Sequence, residues 1–282
     1  MSITVGVHDD LDETTYHNDP TDEGSLSVSG AKVILRSPAA FAWERAHRTE
    51  KRAFDFGHAA HAKVLGIGAP VVAIQKTAKD GTVSDATDLR TVSSQEHQQA
   101  IRDAGSVPLL RTEIERVDTM AGALGSHPLA ALLFREGVAE QSMFWRDVET
   151  QVLLRGRLDW LTTLSSGRPV IVDYKTTAQS ADPNEFRWEA RKRRYHMQDV
   201  WYREGVAALA EQFGISDEPA FLFVVQEKDP PYLVSVCEMR DDVREDGAVL
   251  NKYARQTYLD CRTRDEWPGY APIVHAISWP TY

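Results

Sequence analysis

Hydrophobic residues change period near residue 136. Before that point they recur at three- and four-residue spacing in separate blocks, and beyond it they alternate or run together over strand lengths. Residues 1–26 are polar and acidic, interrupted by Asn18, Pro20 and Gly24, and read as a flexible leader. Ser29 is a suitable N-cap for a first helix carrying Val33, Ile34 and Leu35, which breaks near Pro38 and resumes over 39–48. A second helix is predicted over 54–65, a short strand over 71–74 and polar loop over 77–92. Two or three helices follow over 93–135, with a break near 105–108. The later pattern predicts strands over 140–146, 151–164 and 169–174, with a Ser-Ser-Gly turn at 165–167. Pro183 opens a long helix to residue 213. Strands over 220–226 and 232–238 flank Asp229-Pro230-Pro231, and a helix over 241–264 precedes an irregular tail. There is no internal repeat or low-complexity segment.

This order predicts a mixed α/β (α+β) fold: a central mixed sheet flanked by helices, with a helical N-terminal lobe. Residues 27–282 read as one domain, the lobe over 27–135 and the sheet core over 136–282. No segment reaches the roughly 20 apolar residues that span a bilayer, and the acidic N-terminus has no signal-peptide pattern, so a cytoplasmic location is expected. Cys237 and Cys261 match no CxxC spacing, which argues against a structural disulfide and against an iron–sulfur cluster. The net charge of −10 leaves a nucleic-acid partner open, because the charge is uneven. Asp9, Asp10, Asp12, Glu13, Asp19, Asp22 and Glu23 crowd one end, whereas Arg191-Lys192-Arg193-Arg194 lie in the middle.

The chemistry concentrates in GRLDWL (156–161) and PVIVDYKTT (169–177). Asp173 and Lys175 are two apart and share one face of a strand. Asp159 lies on the preceding strand, where antiparallel pairing can bring it beside Asp173. Converging carboxylates make the hard oxygen site that Mg²⁺ prefers. A lysine beside them can orient or help deprotonate a water and offset phosphate charge. An Asp-x-Lys triplet alone is common and is usually an exposed strand-end pair; here Val170-Ile171-Val172 lead into it as a core strand.

These residues resemble the D…DxK form of the PD-(D/E)xK restriction-endonuclease-like core. Ser37-Pro38-Ala39, Gly57-His58-Ala59-Ala60-His61, GRLDWL, VDYKT, YHMQDVWY (195–202) and WPGY (267–270) fall in the order found in RecE-type exonucleases, relatives of RecB-like nucleases and lambda exonuclease. The resemblance implies a Mg²⁺-dependent enzyme, with Mn²⁺ as substitute, that degrades linear double-stranded DNA from its ends, 5′ to 3′, in phage-type recombination. It implies Asp159, Asp173 and His61 as metal ligands, with Lys175 and Gln198 completing the catalytic set. His58 is the competitor for His61, and Glu140 is either a further ligand or an exposed strand-end glutamate. Arg191, Arg194, Tyr195 and Tyr202 are the expected DNA contacts on the long helix. By the same resemblance the partners are DNA ends, further copies in a ring, and a single-strand-annealing recombination protein. Rival readings are an endonuclease or single-strand-specific nuclease of the superfamily, and an inactive DNA-binding or assembly protein on this fold.

Overall fold

In the computed structural model of the chain, residues 3–47 and 55–278 are described; residues 48 and 54, at the ends of two predicted helices, lie outside them. An edge strand β1 (Gly6–His8) and a short helix α1 (Glu13–His17) open the fold. Strand β2 (Leu26–Ser27) leads straight into helix α2 (Val28–Ile34), which is capped by Ser27 rather than Ser29: the Ser27 hydroxyl accepts from the Gly30 N–H at 3.1 Å. Helix α3 (Pro38–Ala46) begins on its proline, and α4 (Asp55–Leu65) carries both histidines of the GHAAH run. Next come β3 (Val71–Ala73), β4 (Gln75–Thr77), β5 (Val83–Asp85), α5 (Val92–Asp103), β6 (Val107–Leu109), α6 (Arg111–Ser126) and α7 (Pro128–Leu133). The long strands β7 (Val138–Arg146), β8 (Leu153–Thr163) and β9 (Pro169–Thr177) form the predicted meander. After it stand α8 (Pro183–Lys192), α9 (Tyr195–Ala208), α10 (Ala210–Phe213), β10 (Ala220–Glu227), β11 (Val234–Cys237) and α11 (Asp241–Arg264).

The main sheet has the order β1-β7-β8-β9-β10-β11, with β2 added beside β8. Only the β9–β10 and β2–β8 pairs are parallel within it. A parallel neighbour needs a crossover connection, and α8–α10 supply the one from β9 to β10. Both faces are covered. Leu154, Ile171, Phe221, Phe223 and Val225 pack with Met197, Trp201, Val206 and Tyr258 of α9 and α11 in one core. Val170, Val172, Tyr174 and Val224 pack with Ala60, Leu124 and Leu133 of α4, α6 and α7 in the other. Buried on both sides, β9 and β10 are the near-continuous apolar runs that parallel strands require.

Three expectations are corrected. The acidic leader is not a free tail among the described residues: β1 pairs with the edge of β7 in the register Gly6↔Phe144, and Tyr16 is buried against Phe144 and Leu153. Its carboxylates meet arginines from β7 and β8. Asp19 Oδ1 lies 3.2 Å from Arg155, and Glu23 is paired with Arg146 at 2.5 Å. The N-terminal lobe holds more strand than expected: the strand expected over 71–74 is β3, which pairs with β6, and β4 and β5 add a hairpin; such three-residue strands are too short to show a period. The long helix predicted over 183–213 is three helices. Arg194 adopts left-handed backbone (φ 53°, ψ 48°), a conformation costing roughly 1–2 kcal/mol, and turns the chain between α8 and α9. Four successive cations repel along a continuing helix but complement the carbonyl end of one that stops.

Candidate active site

In an uninterrupted strand, positions of one parity share a face, and two strands of the meander break that rule at the same level. On β8, Leu158 faces the α9 side whereas Trp160 faces the α4 side. On β7, Met143 and Trp145 face the α9 side, but Ala139 packs on the other. The turnovers fall at Asp159 and Glu140. The β7–β8 ladder passes from Ala139↔Trp160 to Gln141↔Leu158 and skips Glu140, whose φ of 55° is left-handed. The β8–β9 ladder stops at Trp160↔Val172, one residue short of Asp159 and Asp173. Beyond that point β8 and β9 diverge as a fork. Asp159 closes its base by accepting the released Tyr174 N–H at 2.9 Å, and the Trp201 indole of α9 donates to the Arg155 carbonyl at 3.0 Å.

The Asp173 carboxylate faces α9 from one prong of this fork. It is 1% exposed, accepts from Gln198 Nε2 at 2.5 Å, and has Lys175 Nζ 2.5 Å from its other oxygen. Burial pushes its pKa up to about 6 against the opposing pull of Lys175. Burial likewise raises Asp159 to about 6, with Lys175 opposing and Glu140 adding to the rise. Lys175 is itself raised: the attraction of Asp173 and Asp159 outweighs the burial that would discharge it. The two carboxylates thus favour its ammonium form.

From the other face, α4 delivers His61. Its Nδ1 lies 3.7 Å from Asp159 Oδ2, and its ring leans on Tyr174 with centroids 5.0 Å apart. Burial, reinforced by Lys175, lowers its pKa to about 4, so the imidazole is neutral and free to ligate. Glu140 is held by Arg157 at 2.5 Å. Among the described residues, one group of donors lies close enough to share a metal ion: His61, Glu140 and Asp159, with their ligand atoms within 4.8 Å of one another. Two ligands of one Mg²⁺ at about 2.1 Å stand at most ~4.2 Å apart, so a contraction of several tenths of an ångström closes the group on an ion. Two half-buried carboxylates, Asp159 with its proton affinity raised by burial, and an imidazole kept neutral fit a divalent cation. Asp173 stands outside this triad, engaged by Lys175 and Gln198.

Of the sequence-predicted site residues, Asp159, Asp173, Lys175, His61, Gln198 and Glu140 come together at the fork. His58 does not; it is exposed and turned toward Glu13, 3.9 Å away. Among the expected DNA contacts, Arg191 is exposed on α8, and Arg194 reaches back to the Lys32 carbonyl at 3.5 Å. Tyr195 rests on Phe223 with ring centroids 5.5 Å apart. Tyr202 is corrected: at 8% exposed it is a core residue against Phe221 and Gly156, with its hydroxyl in contact with Gln198, so it supports the site from within. The sequence reading missed Arg157, which anchors Glu140, and Lys32 of α2, whose ammonium stands 5.4 Å above the Tyr195 ring. Burial, with help from Lys175, lowers the Lys32 pKa to about 7. The available signal was that Lys32 is the one charged residue in the run LSVSGAKVIL (26–35).

No helix among the described residues is long and apolar enough to cross a membrane. No curated protein sequence matches this chain. Among solved structures, a candidate exonuclease from Eubacterium rectale superposes with a TM-score of 0.59 at 11% identity, over 96% of each chain. That likeness speaks for the fold. The structure of SSO0001 matches with a TM-score of 0.38 at 11% identity, over 87% of this chain and 81% of that one, and carries no argument. A family model described as a PDDEXK-like domain of unknown function (DUF3799) matches residues 27–278. That span takes in the whole fork and both helical layers, so the chain belongs to this PDDEXK-like family, a nuclease-type fold.

Proposed function

We propose that the protein is a Mg²⁺-dependent exonuclease, with Mn²⁺ as substitute, that hydrolyses linear double-stranded DNA from its ends, 5′ to 3′, as RecE-type enzymes do. The observation that carries this reading is the convergence of His61, Glu140 and Asp159 with the Asp173–Lys175–Gln198 set at the one place where the sheet forks. His61, Glu140 and Asp159 would hold the ion, which supplies Lewis acidity and a water of lowered pKa when bound. Gln198 fixes the Asp173 carboxylate. Lys175, kept protonated, offsets phosphate charge and can hold a water by donating to it. Arg194 and Tyr195 flank the same end of α9 and are the proposed DNA contacts, with Arg191 further out. By resemblance we also propose a ring of several copies around the duplex, working with a single-strand-annealing recombination protein in the cytoplasm.

The test is digestion of end-labelled linear duplex beside covalently closed circles, with and without Mg²⁺. Linear DNA is expected to shorten from its ends only with the metal, and the circles to survive. Cut circles would identify an endonuclease, and inert duplex with degraded single strands a single-strand-specific enzyme. Ca²⁺, larger and looser in geometry, is expected to support DNA binding without efficient cutting.

A further inference from the structure

Lys32 has no role in the set described so far, yet its surroundings are unusual for a lysine. It sits half-buried on α2, with its ammonium 5.4 Å from the centroid of Tyr195. Lys175 Nζ stands at the same distance from the same ring. The ring itself is braced by Phe186 and Phe223, with centroids 5.9 and 5.5 Å away, so the two ammonium groups are held by one rigid aromatic platform. The charged groups that act most strongly on Lys32 are Lys175, Asp173, Arg194 and Arg193, three cations against one carboxylate. Asp173 is already engaged by Lys175 and Gln198. Among the described residues no carboxylate lies within the 4.0 Å ion-pair distance of Lys32. A partly covered amine among cations, without a counter-ion of its own, holds its proton weakly, and an arriving anion would restore the ammonium.

We propose that Lys32 is a phosphate-binding residue that grips a phosphodiester of the substrate strand next to the one Lys175 faces, with Tyr195 fixing the spacing between the two cations. This rests on the nuclease reading of the fork. The two ammonium groups come from different elements, Lys32 from α2 and Lys175 from β9, and Tyr195 at the first turn of α9 is their shared contact. Adjacent phosphates of one strand would then be read as a pair, which favours a strand whose backbone is threaded along the fork. Lys32 makes no contact with the donor triad, so its part is to position substrate and not to hold metal.

The experiment pairs Lys32→Gln and Lys32→Arg with duplexes carrying a single neutral methylphosphonate linkage, scanned across the positions beside the scissile bond. Duplex affinity is measured in Ca²⁺ over a range of salt, and cleavage in Mg²⁺. Lys32→Gln is expected to lower the log–log salt slope by about 0.9, the value for one lost phosphate contact, and to weaken binding on the order of tenfold. Lys32→Arg should retain most of both. At one linkage the neutral substitution should slow the wild type but cost Lys32→Gln nothing further, a loss of additivity that a merely structural role would not produce. Unchanged salt slope in Lys32→Gln, or additive losses at every linkage, overturns the proposal. A protein that cuts no DNA but binds duplex with this Lys32-dependent slope would sink the nuclease reading and sustain the phosphate site. One that cuts normally in the Lys32→Gln form would do the reverse.

Discussion

Each carboxylate at the fork has a separate partner, so single substitutions should fail in different ways. Asp159→Asn removes a donor from the triad and should abolish Mg²⁺ binding and hydrolysis together. Lys175→Ala should abolish hydrolysis while Mg²⁺ still binds, because the triad does not include it; isothermal titration beside a cleavage assay separates the two. Gln198→Ala frees the Asp173 carboxylate and should slow turnover with little change in DNA affinity. The raised carboxylates also set a pH dependence. Asp159 and Asp173 have folded pKa values near 6, above the ordinary range. In the metal-free protein they therefore favour the fold most below the usual carboxylate pKa, and that contribution is lost as pH rises through about 6. Mg²⁺ held by the triad needs Asp159 ionised, so its stabilising effect has the opposite trend. Thermal melts should show a larger Mg²⁺-induced rise in Tm at pH 7.5 than at pH 5. An equal rise at both would mean that Asp159 is not what the ion titrates against.

Helix packing offers sharper contrasts than the strands do. A Cβ at Gly247 of α11 would come 2.4 Å from the His196 carbonyl oxygen of α9, so Gly247→Ala must push the two helices apart. A destabilisation of about 1–3 kcal/mol is expected from denaturant unfolding, with lost activity following from the displaced α9. Gly122 of α6 has nothing within 4 Å, and Gly122→Ala should stabilise by about 0.5–1 kcal/mol. Much at this scale was legible in the sequence. The meander β7–β9 follows from its period, and α11 occupies the helix expected over 241–264. The pairing that sets Asp159 near Asp173 follows from the short turn between their strands. What could not be read is where regularity fails. The left-handed residues Glu140 and Arg194 are ordinary by type, and the parity switch at Asp159 leaves GRLDWL looking like any half-buried strand. Tyr202 has the helical spacing of a surface stripe, and only the direction in which α9 packs decides that it faces inward. Lys32 is distant in sequence from everything it meets.

At the scale of the whole molecule, the acidity of the N-terminal stretch is partly spent inside the fold. Arg155 and Asp19 are both nearly buried, and removing one partner of such a pair costs roughly 3–5 kcal/mol. Asp19→Ala should therefore lower the Tm markedly, whereas Asp22→Ala, at an exposed position, should not. Light scattering with and without duplex tests the ring, and a strict monomer that degrades long duplexes processively would replace it with enclosure by one chain. The sheet order also governs how the protein comes off the ribosome. β1 waits for a partner whose Phe144 lies far behind Gly6 in the order of synthesis. His61 emerges well before Glu140 and Asp159, and Gln198 later still. At about 5–20 residues per second, the last of these follows His61 by roughly 7–27 seconds. On the proposed function, a nascent chain thus lacks a complete fork until α9 has emerged. A fragment ending at residue 182 holds Asp159, Asp173 and Lys175 but has no α9 to set them, and should be inert toward any DNA. Interrupted translation of this protein would then leave harmless debris, and cleavage by that fragment would show that the fork assembles before the chain is finished.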